Sequence, residues 1–462
     1  MSPNAKDSMP MEFRRQQHTK QSSNEVASPS ADQDGLSLNI TPHRPKGPSA
    51  KFHPLLEKCR PTPSPHVAYS DEVIHQRGDL PIRSKTIPAE VSRTYNILRL
   101  VNQLELFDRL TGLGFTDHWL PVSSQQLPEF ISPKAKHNFL KAQSMILSES
   151  TDLEDGEDGR HKSFLKDQPV PFKIVSILGS GSYSQVDKVI SKTSNKEYAR
   201  KLVRRGYAFR QTRGIMKSFS TELEIMKRLN HHHIIRIAGT YSDPNYLGFV
   251  MSPVADCNLA AYLSTEYNSD ERKARLRTFF GCLITTLAYV HDARIRHKDI
   301  KPQNILVKGN SVILTDFGIS YSTAEGGHST TEGAPAMTMR YCAPEVAKYE
   351  PRNSSSDIWS LGCVFVEMIT VLKNQTITSM RNYFESHGSC GKFFNNNVEA
   401  MNDWFLILAA ATPSSDNIPL QWARNMVQYN DKLRPKSRAL AEIIINHHCS
   451  TDFCGGCCLP YV

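Results

Sequence analysis

Apolar positions along the chain recur with two different periods, and the change from one to the other divides it. From Val91 to Leu110, the residues Ile97, Leu98, Leu100, Val101, Leu104, Leu106, Phe107 and Leu110 fall near helical spacing, and Gly112 stands where a helix stop is expected. A second apolar patch, Phe115, Trp119, Leu120 and Val122, follows at once. The acidic run Asp152 to Asp158 then precedes a new start. Residues 91–165 are therefore expected to form a short helical extension docked on its neighbour, without chemistry of its own. From Phe172 the segments FKIVSILG and QVDKVIS predict two strands around a glycine turn and EYARKLV a third. Phe219 to Leu229 predicts a helix with Leu223, Met226 and Leu229 on one face. After Asp256 the periodic stretches Leu276 to His291, Ser356 to Thr370 and Gln421 to Tyr429 predict longer helices. The fold class that follows is α+β, a small β-rich lobe followed by a larger helical one.

Ahead of these elements the pattern is absent. Twelve of the 27 prolines fall in the first 88 residues, and segments such as TPHRPKGPS bury too little apolar surface to offset backbone entropy. Residues 1–90 are expected to be a disordered tail. No apolar run reaches the roughly 18 to 20 residues of a membrane helix, Phe405 to Ala411 being the best candidate, so no transmembrane segment is expected. The opening MSPNAKDSMPMEFRRQQH carries charge but no apolar stretch behind it, which points away from a secretory signal and towards the cytoplasm or nucleus. Ten cysteines in 462 residues are too sparse for a disulfide scaffold, and Cys282 and Cys363 read as reduced core residues. The charge balance, 55 − 46 = +9, is spread along the chain, and no nucleic-acid partner is expected.

The chemistry concentrates after Phe172. Gly179-Ser180-Gly181-Ser182-Tyr183-Ser184-Gln185-Val186 joins the first two strands, and glycine there lets backbone N–H groups close over phosphates that a Cβ would push away. The loop alone is also compatible with a plain hairpin. A Walker-type loop is excluded, because the only Gly-Lys pair, Gly391-Lys392, is followed by Phe393. Ala199 and Lys201 lie on the third strand, and Glu222 on the following helix is placed to meet Lys201 as an ion pair. More specific is the run His297-Lys298-Asp299-Ile300-Lys301-Pro302-Gln303-Asn304, with Asp316-Phe317-Gly318 twelve residues after Asn304. Ala343-Pro344-Glu345, Asp357-Ile358-Trp359-Ser360-Leu361-Gly362 and Arg434-Pro435 follow.

With these motifs the chain resembles the eukaryotic protein kinase family, over residues 172–446. The resemblance implies the bilobal kinase fold and transfer of the γ-phosphate of ATP to Ser/Thr hydroxyls of protein substrates. By the same resemblance Asp299 takes or orients the hydroxyl proton and Lys301 steadies the γ-phosphate. Asn304 and Asp316 hold Mg²⁺, whose preference is for hard oxygen ligands. Gly179, Ser180, Gly181, Ser182 and Val186 cover the nucleotide, Lys201 with Glu222 steadies its α- and β-phosphates, and Ala199 leaves room for the purine. Met251 is the gatekeeper, and the Ser252 carbonyl and Val254 amide meet adenine. The rival is a pseudokinase scaffold or ATP-binding interaction module, which would normally lack one of Lys201, Asp299, Asn304 or Asp316. Lys301 and Thr338 match the serine/threonine pattern rather than the tyrosine one. GFTDHWLPVSSQQLPEF with YARKLVRR further resembles a group of filamentous-fungal serine/threonine kinases.

Some residues depart from the family pattern. Ser184 replaces a third glycine, Met337 a glycine before Thr338, and Gln303 an acidic residue of basophilic members. Lys298 stands where arginine is commoner and Tyr321 where a second cation often stands, so phosphorylation around Ser329 to Thr331 is expected to raise activity only modestly. Residues 447–462 form a Cys-rich tail holding His447, His448, Cys449, Cys454, Cys457 and Cys458. It is read as flexible, with zinc or a lipid at its cysteines as the alternatives, since Cys454-Gly455-Gly456-Cys457 has metal-ligand spacing but no second pair completes it. His231-His232-His233 is read as a structural helix-to-strand connection.

Overall fold

The computed structural model describes residues 87–147, 161–181, 184–265, 269–318, 321–322, 339–389 and 391–459. The proline-rich stretch through residue 86, the acidic run Asp152 to Asp158, Ser182, Met337, Thr338 and the hydroxyls from Ser329 to Thr331 lie outside these residues.

The periodic stretch expected as one helix folds as two, α1 (Ser92–Leu100) and α2 (Phe107–Gly112). Asn102 adopts a left-handed φ of 55°, and Gln103 N–H donates back to the Leu98 carbonyl at 2.9 Å, which closes α1 early. Asparagine tolerates that conformation because its short polar side chain compensates locally. The N-terminus of α1 is capped from a distance. The Asp117 carboxylate accepts the Arg93 and Thr94 amides at 2.8 Å each and the Thr94 hydroxyl at 2.7 Å. A longer helix, α3 (Pro133–Ile146), starts from a Ser132 cap with proline in its first turn.

The extension is not helical throughout. It also supplies strand β1 (His161–Ser163), which lies parallel to β5 (Arg236–Ser242) at the edge of a sheet ordered β1-β5-β6-β4-β3-β2. The other strands are β2 (Phe172–Ser180), β3 (Ser184–Ser191), β4 (Glu197–Arg204) and β6 (Tyr246–Ser252), all paired antiparallel. Helix α4 (Phe209–Arg228) packs Met216, Phe219, Leu223 and Met226 inwards. Extension and lobe share one core, in which Trp119 stacks on Phe115 at 4.8 Å and on Phe209 at 5.3 Å. Arg205, buried, donates to the carbonyls of Pro121, Trp119 and Asp243 at 2.5–2.8 Å, and Gln126 donates to the Gly206 carbonyl at 2.8 Å.

The second lobe begins with β7 (Cys257–Asn258), α5 (Leu259–Leu263) and α6 (Asp270–Asp292). The strands β8 (Ile295–Arg296), β9 (Ile305–Lys308), β10 (Ser311–Leu314) and β11 (Tyr321–Ser322) follow. Next come α7 (Pro344–Ala347), α8 (Ser355–Leu372), α9 (Ile377–His387), α10 (Val398–Ala410), α11 (Ile418–Met426), α12 (Ser437–Ile445) and α13 (Ser450–Phe453). Helix α8 is apolar and long enough by composition to cross a membrane, which the run-length reading passed over, yet 94% of it is buried inside the protein. A helix apolar all round is here the axis of a core.

The expectation of a flexible Cys-rich tail is overturned. Phe453 and Cys454 are buried, with the Phe453 ring 5.4 Å from Trp422 and 6.3 Å from Phe280. A Cβ added to Gly281 would lie 2.6 Å from the Cys454 sulfur, so this glycine of α6 lets the tail seat directly on the helix. The tail's partners lie on α6 and α11, far away in sequence, where no local pattern announces them.

Two histidines tie the extension to the sheet. His161 bonds Thr240 and Ser242 through its two ring nitrogens at 3.0 Å each, and its ring stands 4.4 Å from that of His118. Loss of hydration holds His118 down to about 4 and His161 well below its ordinary value, while burial pushes Asp117 up to about 6. Below about 6.5 the unfolded chain therefore binds more protons at the histidines, and stability is lost as the pH falls. Asp117 acts in the opposite sense between about 6 and 4, with one proton against two. Acidification from about pH 7 to pH 5 should lower the unfolding free energy by up to about 1.4 kcal/mol per pH unit for each histidine. Urea titrations across that range check this, with His118→Phe flattening the slope; a flat profile in the unaltered chain would refute it.

Candidate active site

Register places the site's upper wall. Ala199 and Lys201 are two apart on β4 and so share a face. Across the ladder Val186 stands opposite Lys201, and Met251 opposite Ala199, which carries all four to that face. Ala199, Met251 and Val254 are buried, and Ser252 is half-buried where β6 ends. The turn between β2 and β3 hangs over them, with Gly181 N–H donating to the Ser184 carbonyl at 2.7 Å. A Cβ added to Gly179 would meet nothing of the protein within 4 Å, so packing does not demand this glycine, and the room above it is room for a ligand. A cleft of about 820 Å³ opens between Gly179, Ser180, Gly181 and Val186 above and Lys301, Gln303 and Asn304 below.

On the strand beside Val186, Lys201 Nζ lies 2.7 Å from Glu222 Oε1 and 2.9 Å from Asp316 Oδ1. Burial alone would depress this ammonium, but the two carboxylates outweigh it and hold Lys201 above its ordinary value. Asp316 is in turn held below the usual carboxylate range, burial being outweighed by Lys201. The backbone of Asp316 is left-handed at φ 67°, and Phe317 beyond it is fully buried against the His297 ring at 4.8 Å.

The floor is a short loop folded on itself. Lys301 Nζ donates to Asp299 Oδ2 at 2.6 Å, and Asn304 Nδ2 donates to both the carbonyl and Oδ2 of Asp299 at 2.9 Å. Since Asn304 donates through its nitrogen, its Oδ1 is left as an acceptor, and with the Asp316 carboxylate this makes a pair of hard oxygen donors.

Sequence reasoning named Asp357 only as part of a motif; its function is structural. The carboxylate, buried in α8, accepts the amides of His297 and Lys298 at 2.9 and 2.8 Å and faces His291 Nε2 at 3.0 Å. It thereby holds Lys298 at a φ of 67°. Lys298 is also not the lone cation expected. Arg296 and Arg352 line the same small cavity beside Asp299, and burial together with these two charges brings Lys298 down to about 8. The sequence alone offered no sign of this group, since Arg352 lies 54 residues beyond Lys298.

Glu345 and Arg434 form a bidentate pair in the second lobe, at 2.7 and 2.9 Å, with both side chains buried.

A protein kinase domain model matches residues 172–448. The serine/threonine-protein kinase fused of Drosophila melanogaster is 34% identical over 200 residues, 42% of this chain and 24% of that protein. The serine/threonine-protein kinase RAD53 of Saccharomyces cerevisiae is 31% identical over 216 residues, 43% of this chain and 25% of that protein. Human 3-phosphoinositide-dependent protein kinase 1 is 28% identical over 208 residues, 45% of this chain and 37% of that protein. The matched region thus spans a quarter to a little over a third of these three relatives.

Breaking the buried pair by Arg434→Met leaves Glu345 charged and unpaired, and should cost about 3–5 kcal/mol in chemical denaturation. Adding Glu345→Gln should recover part of that loss, whereas additive losses would show that the two side chains do not act as a pair.

Proposed function

The chain belongs to the protein kinase family, and we propose that it transfers the γ-phosphoryl group of ATP to serine and threonine hydroxyls of protein substrates. The observation that carries this reading is that both halves of the site are assembled together. Lys201, Glu222 and Asp316 are joined at 2.7–2.9 Å, and Asp299, Lys301 and Asn304 at 2.6–2.9 Å. No member of the set is replaced, and the relatives carry serine/threonine kinase names, which supports catalysis over a scaffold role.

In this reading the face of Val186, Ala199 and Met251 receives the purine, with the Ser252 carbonyl and Val254 amide at its edge. Gly179, Ser180, Gly181 and Ser182 cover the phosphates. Lys201 has three N–H donors and shares two with carboxylates, so a third remains for a phosphate oxygen. Asn304 and Asp316 fit Mg²⁺ by their oxygen donors, and that ion supplies neutralisation of charge on the transferring group. Asp299 Oδ2, fixed by Lys301 and Asn304, orients the acceptor hydroxyl and takes its proton as the new P–O bond forms and the bond to ADP breaks. Lys301 places a positive charge beside the equatorial oxygens of the transferring group.

Lys201→Met, Asp299→Asn or Asp316→Asn should each reduce phosphoryl transfer by on the order of 10³-fold with the fold retained. Radiolabel transfer and phosphoamino-acid analysis check this; equal turnover in any of these variants removes that residue's role, and predominant phosphotyrosine removes the serine/threonine assignment.

The cation group also changes the expectation for regulation. With Arg296 and Arg352 beside Lys298, a phosphate from the segment around Ser329 to Thr331 would meet three cations instead of one. Its effect should then exceed the modest gain, roughly tenfold, expected of one cation. Changing Ser329, Thr330 and Thr331 together to Ala, against the phosphorylated chain, measures that ratio; a ratio below about tenfold would return regulation to the single-cation expectation.

A further inference from the structure

The loop that leaves α4 and the end of the chain meet outside the cleft, and histidines from one face cysteines from the other. We propose that His232, His233, Cys457 and Cys458 form a structural zinc site tying the chain's end to that loop. One ligand atom from each of the four lies within 4.8 Å of all the others. Cys457 Sγ stands 3.3 Å from His233 Nε2, and Cys458 Sγ stands 3.5 Å from His232 Nε2. With Zn–S near 2.3 Å and Zn–N near 2.0–2.1 Å, a tetrahedron has S···N edges of about 3.5 Å. The side chains already span that figure.

The surroundings orient these donors. His233 is buried, and its Nδ1 lies 2.7 Å from the Val312 carbonyl, so Nδ1 carries the proton and the Nε2 lone pair faces Cys457. This is the arrangement by which a ligating histidine is held in one tautomer and turned towards its metal. Leu314 N–H donates to the His233 carbonyl at 2.8 Å, which fixes the backbone as well. On the other side Thr285 of α6 donates to Cys458 Sγ at 3.2 Å. A Cβ on Gly455 would come within 3.0 Å of the Cys457 sulfur, so glycine there lets the tail curl its thiols inwards.

The chemistry selects the metal. Two thiolates and two neutral imidazoles suit Zn²⁺ rather than Mg²⁺ or Ca²⁺. Binding releases the two thiol protons to solvent and leaves the half-buried site neutral overall. The spacing from Cys454 to Cys457 misdirects a sequence search, because Cys454 seats on Gly281 and turns its thiol to Cys282 and Cys458, while the histidines facing Cys457 and Cys458 lie more than 220 residues upstream.

The test uses the full chain, purified without chelator. Elemental analysis by mass spectrometry should return about one zinc per chain, and cobalt exchanged into the site should show the thiolate-to-metal charge-transfer bands of a tetrahedral centre. Cys457→Ser with Cys458→Ser should abolish metal retention, and His232→Ala should weaken zinc at least about tenfold. A change of His447 and Cys449 to Ala, in the neighbouring cluster, should leave it unchanged. His232 is exposed, so its variant carries the test even where the double variant folds poorly. A chain that takes up neither zinc nor cobalt, or one whose metal survives both sets of variants, overturns the site. So does peptide mapping that finds Cys457 in a disulfide with Cys282, whose sulfur is 3.9 Å away.

Discussion

One ammonium group joins the parts of this protein that have to agree. Lys201 belongs to the sheet, Glu222 to α4, and Asp316 to the segment after β10 in the other lobe, and all three meet within 2.9 Å. Desolvation works against a buried ammonium, and here two carboxylates offset it. The pair therefore sets the position of α4 against the sheet and of Asp316 against both. Whatever holds α4 in place also holds the site.

The extension does much of that holding. Phe209, at the start of α4, stacks on Trp119, and Phe219 in its middle touches His118, His161 and Phe249. Arg205, in the connection before α4, satisfies three carbonyls from both sides of the seam, and burial brings it down to about 10 without leaving its charge uncompensated. A docked segment that shares the lobe's core, lends it a strand and caps its own first helix from Asp117 is a component of the small lobe in energetic terms. At its other end α4 passes into the histidine loop that faces the tail.

What could be read from the sequence was what is local. Asp299, Lys301 and Asn304 lie within six residues, so their chemistry is visible as a motif, and strand alternation alone places Ala199 and Lys201 on one face. What could not be read depends on chain segments meeting from afar. The break at Asn102 comes from a left-handed residue inside an unbroken apolar pattern. Phe453 and the tail cysteines looked free because their partners, Gly281, Trp422 and the histidine loop, lie far upstream. Lys298 looked solitary for the same reason, and Asp357 gave no hint that it anchors the amides of His297 and Lys298 from 60 and 59 residues away.

These contacts also bear on where control can act. An outward swing of α4 would carry Glu222 away from Lys201 and leave the ammonium with Asp316 alone. The swing would also part Phe219 from Phe249, whose rings are 4.5 Å apart. The extension opposes it at Phe209 and Phe219. The helix is thus held in its engaged position before any ligand arrives, and a switch based on moving it would work against several independent contacts. The cation group of Arg296, Lys298 and Arg352 stands differently: three like charges share one small cavity beside Asp299, and burial with the charges of Arg296 and Arg352 brings Lys298 down to about 8 against the pull of Asp357. A charge added in that cavity would therefore act on the loop that carries Asp299 without any change in the placement of α4.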